Sequence, residues 1–341
     1  MKCQPLSLLY NIFATGLLFV LLIAVSAKGQ GATVLRLEKE IPMPGVEGRI
    51  DHFSVDVSGQ RLFVAALGNG SVEVLDVRPG KRSAEIQGLK EPQGVFYDPN
   101  TGQLYVASGG DGKLHIYNGK SLKEQATLEF GNDADNVRRD PQTGDIWVGY
   151  GDGGIGIVKG VGQKVGSIGL GAHPESFQFS ENGDRAYVNV PNKFGVIVID
   201  RQKRAVASRW GLGASLANYP IAIDDTSRRL FVGCRLPARL VVLDVTSGRI
   251  VAELGTVGDA DDVFYDKGRR LVYVIGGEGA AEIFRQRDPD HYERIDRVST
   301  ASGARTGLFV PSLDRLFVGV PHRGSQAARV LVYKIEPAGT N

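Results

Sequence analysis

The segment RLFVA, residues 61–65, is the first of seven copies of a short apolar motif centred on an aromatic residue. The other copies are QLYVA (103–107), DIWVG (145–149), RAYVN (185–189), RLFVG (229–233), LVYVI (271–275) and RLFVG (315–319). Their central aromatic residues are 40 to 44 residues apart. An internal period of this length is typical of a β-propeller, in which each repeat forms one blade.

Each repeat has the same internal order. A segment of alternating character such as HFSVDV is followed by a turn, the aromatic motif, a second turn rich in Gly or Asn, and two further segments resembling SVEVLDV and RIVAELG. Alternation of this kind between turn residues indicates four antiparallel strands. The sequence therefore predicts an all-β fold, a seven-bladed propeller of four-stranded antiparallel blades.

The ends of the chain predict how the ring closes. The last repeat has only three clear strands, at roughly 306–310, 315–319 and 329–334, whereas residues 32–43 precede the first repeat and have strand character. We expect this N-terminal strand to complete the last blade. The predicted propeller covers 32–339, with blades at about 51–89, 92–130, 133–171, 173–213, 217–258, 259–303 and 304–339 plus 32–43.

Residues 1–27 are distinct from the repeats. Lys2 precedes an apolar run over residues 6–27 that ends in Val-Ser-Ala, which is typical of a cleaved signal peptide; left uncut, the run is long enough for an N-terminal membrane anchor. Either reading predicts export to a periplasmic or extracellular location, with membrane attachment only through residues 6–27. The remaining chain has a nearly balanced charge, which argues against nucleic acid as a partner.

The repeats resemble the YVTN-type β-propeller repeats of the YncE-like family. PQGVFYDPNTGQLYVASGGDGKLHIYN (92–118) and HPESFQFSENGDRAYVNVPNKFGVIVID (173–200) carry the resemblance most clearly. It covers residues 32–336 and implies a propeller of the kind often exported from bacteria. The family pattern implies no shared set of catalytic residues, so the catalytic residues are unknown from the sequence.

In a propeller the loops before the first strand of each blade surround one mouth of the central channel, where function is usually located. Counting back 12 residues from each motif aromatic gives the ring Asp51, Gln93, Asp135, Glu175, Tyr219, Asp261 and Arg305. The next positions add His52, Asn136 and Asp262, and His173 and His322 map to the same face. We predict that these residues form a ligand-binding site at the channel mouth.

Two similar tetrads, DADN (133–136) and DADD (259–262), lie at this mouth. Clustered carboxylates repel one another unless a cation intervenes, so Asp133, Asp135, His173 and Glu175 form a candidate site for a divalent metal ion, the one possible cofactor. Asp259, Asp261 and Asp262 form a second cluster, which Arg305 is expected to balance. The alternative for both tetrads is Asx turns made with their own backbone. We expect a wide channel, in which ligands come from neighbouring blades.

The sequence supports two functions. The first is an exported binding or scaffold protein that holds a small ligand or a protein segment at the polar mouth. The second is a metal-dependent hydrolase of lactone-like or ester-like substrates, in which Asp135, His173 and Glu175 act as ligands or bases and Arg305 binds an oxyanion or carboxylate. Cys234 is either an inert buried thiol or one activated by Arg235. The sequence predicts no oligomeric state.

Overall fold

The computed structural model describes residues 33–181 and 183–337. The predicted signal peptide or anchor lies outside the described residues. Twenty-eight strands form seven four-stranded sheets, and each sheet is antiparallel with its strands in meander order. Within the described part of the chain, no helix is both long and apolar enough to cross a membrane. The predicted seven-bladed propeller is confirmed.

The strands, in chain order, are β1 (Leu35–Pro42), β2 (Phe53–Asp56), β3 (Arg61–Ala66), β4 (Ser71–Asp76), β5 (Lys81–Ile86), β6 (Pro92–Asp98), β7 (Gln103–Ser108), β8 (Lys113–Asn118), β9 (Glu124–Glu129), β10 (Val137–Arg139), β11 (Ile146–Tyr150), β12 (Gly154–Lys159), β13 (Gln163–Gly169), β14 (Phe177–Phe179), β15 (Arg185–Val190), β16 (Gly195–Asp200), β17 (Ala205–Gly211), β18 (Leu216–Asp224), β19 (Arg229–Leu236), β20 (Ala238–Asp244), β21 (Ile250–Gly255), β22 (Ala260–Asp266), β23 (Leu271–Gly276), β24 (Ala280–Asp288), β25 (His291–Ser299), β26 (Gly307–Val310), β27 (Arg315–Val320) and β28 (Arg329–Ile335). Short 3₁₀ turns occupy Leu67–Asn69, Pro191–Lys193 and Pro311–Leu313.

Blades one to six are β2–β5, β6–β9, β10–β13, β14–β17, β18–β21 and β22–β25. The aromatic residue of each motif lies on the second strand and is buried between blades. Phe63 of blade one stacks on Tyr97 of blade two at 5.5 Å between ring centroids, and Trp147 of blade three meets Phe179 of blade four edge-on at 5.0 Å. The motif recurs because every junction between blades needs a large apolar side chain at this position.

The N-terminal strand closes the ring. β1 pairs antiparallel with β28 over Leu35–Pro42, and the last blade has the strand order β1, β28, β27, β26. The first and last segments of the propeller thus share one sheet, as predicted. Ile41 of β1 is fully buried in an apolar cluster that joins this blade to blade one through residues such as Phe317 and Leu62.

The closing strand gives a stability prediction. Ile41→Ala should lower the free energy of unfolding by about 2–5 kcal/mol, because Ile41 is 0% exposed and its loss leaves a cavity between the last and first blades. Leu37→Ala on the same strand should change it by no more than about 0.5 kcal/mol, because Leu37 is 45% exposed. Urea denaturation of both variants measures the difference. Equal losses would contradict the role of β1.

Candidate functional site

In blades one, three and four, the polar residue just before the first strand is held at the channel mouth by the same backbone hydrogen bond. The amide of Asp51 donates to Ala65 O at 2.8 Å, that of Asp135 to Gly149 O at 2.9 Å, and that of Glu175 to Asn189 O at 2.9 Å. Each acceptor lies two residues after the motif aromatic. These bonds extend the pairing of the first two strands and fix the side chains that precede the apolar part of the first strand.

The mouth contains a polar cavity of about 250 Å³. Residues from all seven blades contribute to its wall, which has five carboxylates, three guanidinium groups and two imidazoles. The lining residues are Arg49, Asp51, His52, Gln93, Asp133, Asp135, His173, Glu175, Tyr219, Arg235, Asp261 and Arg305. Ten of them are residues expected from the sequence; Arg49 and Arg235 were not in that set.

A glycine in blade two allows blade three to come close. A Cβ atom at Gly94 would lie 2.0 Å from the carbonyl oxygen of Asp135, a separation that no side chain tolerates. Gly94 therefore sets the depth at which the backbone of Asp135 enters the channel.

Asp135, His173 and Glu175 converge. One ligand atom from each lies within 4.8 Å of the others, and His173 Nε2 is 3.9 Å from both Asp135 Oδ2 and Glu175 Oε1. Asp133, the fourth predicted ligand, lies outside this triad: it accepts a hydrogen bond from Gln93 Nε2 at 2.8 Å and is 3.5 Å from His173 Nδ1. Three of the four expected metal ligands therefore converge, and the fourth, Asp133, lies on the Nδ1 side of the His173 ring.

The protonation of the triad follows from its burial and its charges. Burial and the nearby carboxylates raise the pKa of Asp135, although His52 opposes this shift. Burial, with Asp135 and Asp261, likewise raises the pKa of Glu175 above its ordinary range. Burial lowers the pKa of His173, so its imidazole is neutral near pH 7. Asp135 Oδ1 and His173 Nδ1 are buried and make no hydrogen bond with the described residues.

The opposite wall of the cavity is cationic. Arg235 donates from Nη2 to Asp261 Oδ1 at 2.6 Å, and its guanidinium lies 3.8 Å from the centroid of the Tyr219 ring. Arg305 donates from Nη1 to Asp259 Oδ1 at 3.0 Å, as expected for the residue that balances the second tetrad. Arg49 donates to Asp51 at 2.8 Å and is 3.9 Å from Asp261. Three guanidinium groups therefore surround one buried carboxylate, that of Asp261.

A positional signal for Arg235 and Arg49 is present in the sequence. Four residues after the motif aromatic, the seven blades have Leu67, Gly109, Gly151, Pro191, Arg235, Gly277 and Pro321, so Arg235 is the one charged residue of that ring. Fourteen residues before the aromatic the ring is Arg49, Glu91, Asp133, His173, Ala217, Asp259 and Gly303. Three of these residues, Arg49, Asp133 and His173, line the mouth cavity together with the ring at twelve residues.

His52 crosses the channel. Its Nε2 lies 3.2 Å from the Asn136 amide nitrogen of blade three, and its Nδ1 lies 3.8 Å from Asp262 Oδ1 of blade six. The expectation of a wide channel was therefore wrong, because one imidazole from blade one reaches both opposing blades. Burial alone would lower its pKa, but Asp51 and Asp262 raise the pKa of His52 to about 10, so it is a cation at neutral pH. A protonated Nε2 is a donor, so in this state the side-chain amide of Asn136 presents its oxygen to the imidazole.

Asn136 and Asp262 line a small space of about 50 Å³ beneath the mouth cavity rather than the cavity itself. His322 is not among the residues lining either space; its Nδ1 lies 2.6 Å from Glu47 Oε2. Cys234 is fully buried and burial raises its pKa to about 12, which supports the inert reading. The nearby Arg235 does not activate the thiol, since its guanidinium points to Asp261.

The tetrads do not form Asx turns. Asp133 and Asp259 accept hydrogen bonds from Gln93 and Arg305, and Asp262 Oδ2 accepts one from the backbone amide of Gly307 at 2.8 Å. Each donor belongs to a neighbouring blade. The carboxylates of both tetrads therefore hold adjacent blades together or face the cavity instead of capping their own turns.

His52 gives a prediction on pH. The folded protein keeps the His52 proton up to about pH 10, whereas the unfolded chain loses it near 6.5, so its stabilisation is complete below 6.5 and lost as pH rises through 10. Between pH 6.5 and pH 10, loss of this stabilisation should lower the free energy of unfolding of the wild type by at most about 1.4 kcal/mol per pH unit. His52→Gln should remove that contribution in urea denaturation series, and His322→Gln should retain it. Parallel curves for all three proteins would refute the assignment.

Comparison with known proteins gives one family match. The family model described as Arylesterase matches residues 72–157, well under half of the chain. This range includes Asp133 and Asp135 but ends before His173 and Glu175. A search of curated proteins gives no match.

Solved structures match the fold over most of the chain. A chain titled Kuenenia stuttgartiensis Hydrazine Synthase aligns with a TM-score of 0.71 at 15% identity, covering 81% of this chain and 95% of that one. A chain from Crystal Structure of Mitotic Checkpoint Complex aligns with a TM-score of 0.74 at 12% identity, covering 98% and 99%. At such identities the likeness concerns the fold alone, a seven-bladed β-propeller.

Proposed function

We propose that this propeller is an exported binding protein whose channel mouth holds a divalent metal ion together with a small anionic ligand. The observation that carries the proposal is that one cavity is lined by two sets of side chains. Asp135, His173 and Glu175 form its acidic wall, and Arg49, Arg235 and Arg305 form its cationic wall. Export rests on the sequence of residues 1–27.

The acidic wall has the properties of a metal site. Ligands at about 2.0–2.2 Å from one ion lie roughly 3–4 Å from each other, and the 3.9 Å separations about His173 Nε2 fall in this range. A neutral imidazole is the form that binds metal, and the unpaired Asp135 Oδ1 has a lone pair to offer. One nitrogen and two carboxylates suit Mn²⁺ or Zn²⁺ better than Ca²⁺, which prefers oxygen ligands.

Asp133, on the Nδ1 side of the His173 imidazole, supports the same function. Its Oδ2 lies 3.5 Å from His173 Nδ1, while Gln93 holds its other oxygen at 2.8 Å. A carboxylate in this position favours the tautomer that carries hydrogen on Nδ1 and leaves Nε2 free to bind the ion. We therefore assign Asp133 to orienting His173.

The cationic wall favours an anionic ligand. Arginine forks bind carboxylate or phosphate groups in bidentate fashion, and Arg305 Nε is buried without a hydrogen-bond partner among the described residues. The side chain of Arg305 is also only 18% exposed. A small anion that bridges the ion and Arg305 would satisfy both walls at once, and the volume of about 250 Å³ limits it to a small molecule.

The metal site is tested by titrating chelator-treated protein with Mn²⁺ and Zn²⁺ in a calorimeter. Wild type should bind one ion, and at 100 times the Kd the ion should stabilise the fold by about 2.7 kcal/mol. Glu175→Gln should weaken binding by roughly tenfold or more, because the amide offers no negative charge to the ion. His322→Ala is the matched control and should keep the wild-type Kd. Equal Kd values for Glu175→Gln and wild type would overturn the site.

A second candidate function is hydrolysis of lactone-like or ester-like substrates, which the Arylesterase match over residues 72–157 favours. A divalent ion held by the triad would polarise a carbonyl oxygen or lower the pKa of a water molecule. If one of the two triad carboxylates, Glu175 or Asp135, leaves the ion free on its side, its raised pKa would let it accept or return a proton near neutral pH while the other carboxylate and His173 hold the ion. Arg305 and Arg235 would orient a carboxylate carried by the substrate.

Turnover of phenyl acetate and of a γ-lactone by metal-loaded protein separates the two functions. If the chain is a hydrolase, Glu175→Gln should lower kcat/KM by roughly 100-fold or more, because it removes both a charge and a proton acceptor. Arg235→Met should leave turnover of phenyl acetate nearly unchanged, since this ester has no anionic group. Absence of turnover by wild type, with metal binding intact, would remove the hydrolase and retain the binding protein.

A further inference from the structure

The central channel contains a second, larger cavity that the proposed function does not use. It has a volume of about 400 Å³, within the range of small-molecule sites. Its wall comes from residues eight to ten positions before the motif aromatics, so it lies further along the first strands than the mouth cavity. Pro141 and Glu181, in loops between first and second strands, lie at its rim, which places its opening on the opposite face of the propeller.

The two cavities are separated by the residues around His52. The small space of about 50 Å³ beneath His52 is lined by Asn136 and Asp262, and further by Arg138 and Phe264. Arg138 and Phe264 also line the larger cavity. They therefore form its inner end, directly below the imidazole that crosses the channel.

Aromatic rings dominate the wall of the larger cavity. Phe96, Phe179, Phe264, Tyr265 and Phe309 come from blades two, four, six and seven. Neighbouring side chains hold several of these rings in place: Tyr265 stacks on Phe231 at 5.3 Å, and Phe309 packs on Tyr273 at 5.3 Å. Such a wall suits a flat apolar group.

Arg138 is the cation at the inner end, and it has no carboxylate partner. Its Nε donates to Phe177 O at 2.5 Å and its Nη2 to Ser176 Oγ at 3.4 Å. Among residues 33–181 and 183–337, no aspartate or glutamate oxygen lies within 4.0 Å of its guanidinium, and Nη1 makes no hydrogen bond. By contrast, Arg139 is 3.5 Å from Asp98 Oδ2. Burial lowers the pKa of Arg138, as expected for a desolvated cation, although Asp262 and Asp135 oppose this shift from beyond 4.0 Å.

We propose that this cavity is a second ligand site, specific for a small aromatic carboxylate, whose ring lies among Phe96, Phe264 and Phe309 and whose carboxylate binds Arg138. The apolar wall supplies burial, and the guanidinium supplies the one charge that such a ligand needs. The site is separate from the metal site proposed at the mouth, because the two cavities share no lining residue.

The probe for this site is 2-naphthoate, with the uncharged 2-naphthamide as its matched analogue, both measured by titration calorimetry. Wild type should bind one naphthoate and bind the amide roughly 10- to 100-fold more weakly, because an ionic hydrogen bond is lost. Arg138→Met, of similar length without charge, should weaken naphthoate binding by the same factor and leave the amide unaffected. Equal affinity for the two probes, or no binding of naphthoate, would overturn the proposal.

Two further variants locate the binding. Ile223→Trp narrows the cavity while keeping Arg138, and should abolish naphthoate binding while retaining a cooperative unfolding transition, which is shifted because Ile223 also packs against the core of blades four and five. It also tests the site if Arg138→Met proves unable to fold. Arg235→Met, at the mouth, should keep the wild-type Kd for naphthoate. Loss of binding in Arg235→Met but not in Ile223→Trp would place the ligand at the mouth and refute this site.

Discussion

The convergence of seven innermost strands on one axis is the constraint on which the rest of the structure depends. At each level of the channel, side chains from seven strands face the same small space. Charges that are distant in the sequence therefore become neighbours. His52 demonstrates this: one imidazole meets Asn136 of blade three and Asp262 of blade six. β1 keeps the ring closed, because this first segment of the propeller pairs with β28 in the last blade. The chemistry of the mouth is therefore a property of the whole ring.

The repeated motif made the fold predictable, because one aromatic residue per blade must fill the junction with the next blade. It also made the ring of polar residues predictable, since a fixed offset from the aromatic marks one level of the channel. The width of the channel was not predictable. It depends on how closely strands approach, as where Gly94 admits the carbonyl of Asp135, and a repeat pattern does not contain that distance. Arg235 was not predicted because it reaches the mouth from the end of a second strand, β19, which extends past the motif, whereas the predicted ring consists of residues that precede first strands.

Two polar levels and one aromatic level follow one another along the channel. The mouth holds charges of both signs, the level of His52 is nearly closed, and the cavity beyond it is lined mainly by aromatic rings around Arg138. This order of levels follows from burial. Residues before the first strand can be polar because solvent reaches them, whereas charged side chains in the middle of the channel need partners. The cation of His52 pairs with Asp51 and Asp262, whereas the hydrogen bonds of Arg138 go to neutral oxygens and the carboxylates that act on it lie beyond 4.0 Å.

The presence or absence of a close partner of opposite charge also distinguishes the two tetrads. Asp259 and Asp261 form ion pairs with Arg235 and Arg305 at 2.6–3.4 Å in their closest pairs. Burial still raises the pKa of Asp261, but Arg235 opposes that shift at hydrogen-bond distance, so the second tetrad has close counter-charges from the protein. Asp133 and Asp135 have no lysine or arginine within 4.0 Å among the described residues. Their nearest basic group, His173, is uncharged because its pKa is lowered, while the more distant cation of His52 opposes the raised pKa of Asp135. Burying carboxylates without a close counter-charge is costly, and the raised pKa values of Asp135 and Glu175 record that cost. A bound cation would remove it. The sequence repeats the tetrad, but the arginines of blades five and seven serve one copy and leave the other available for an ion.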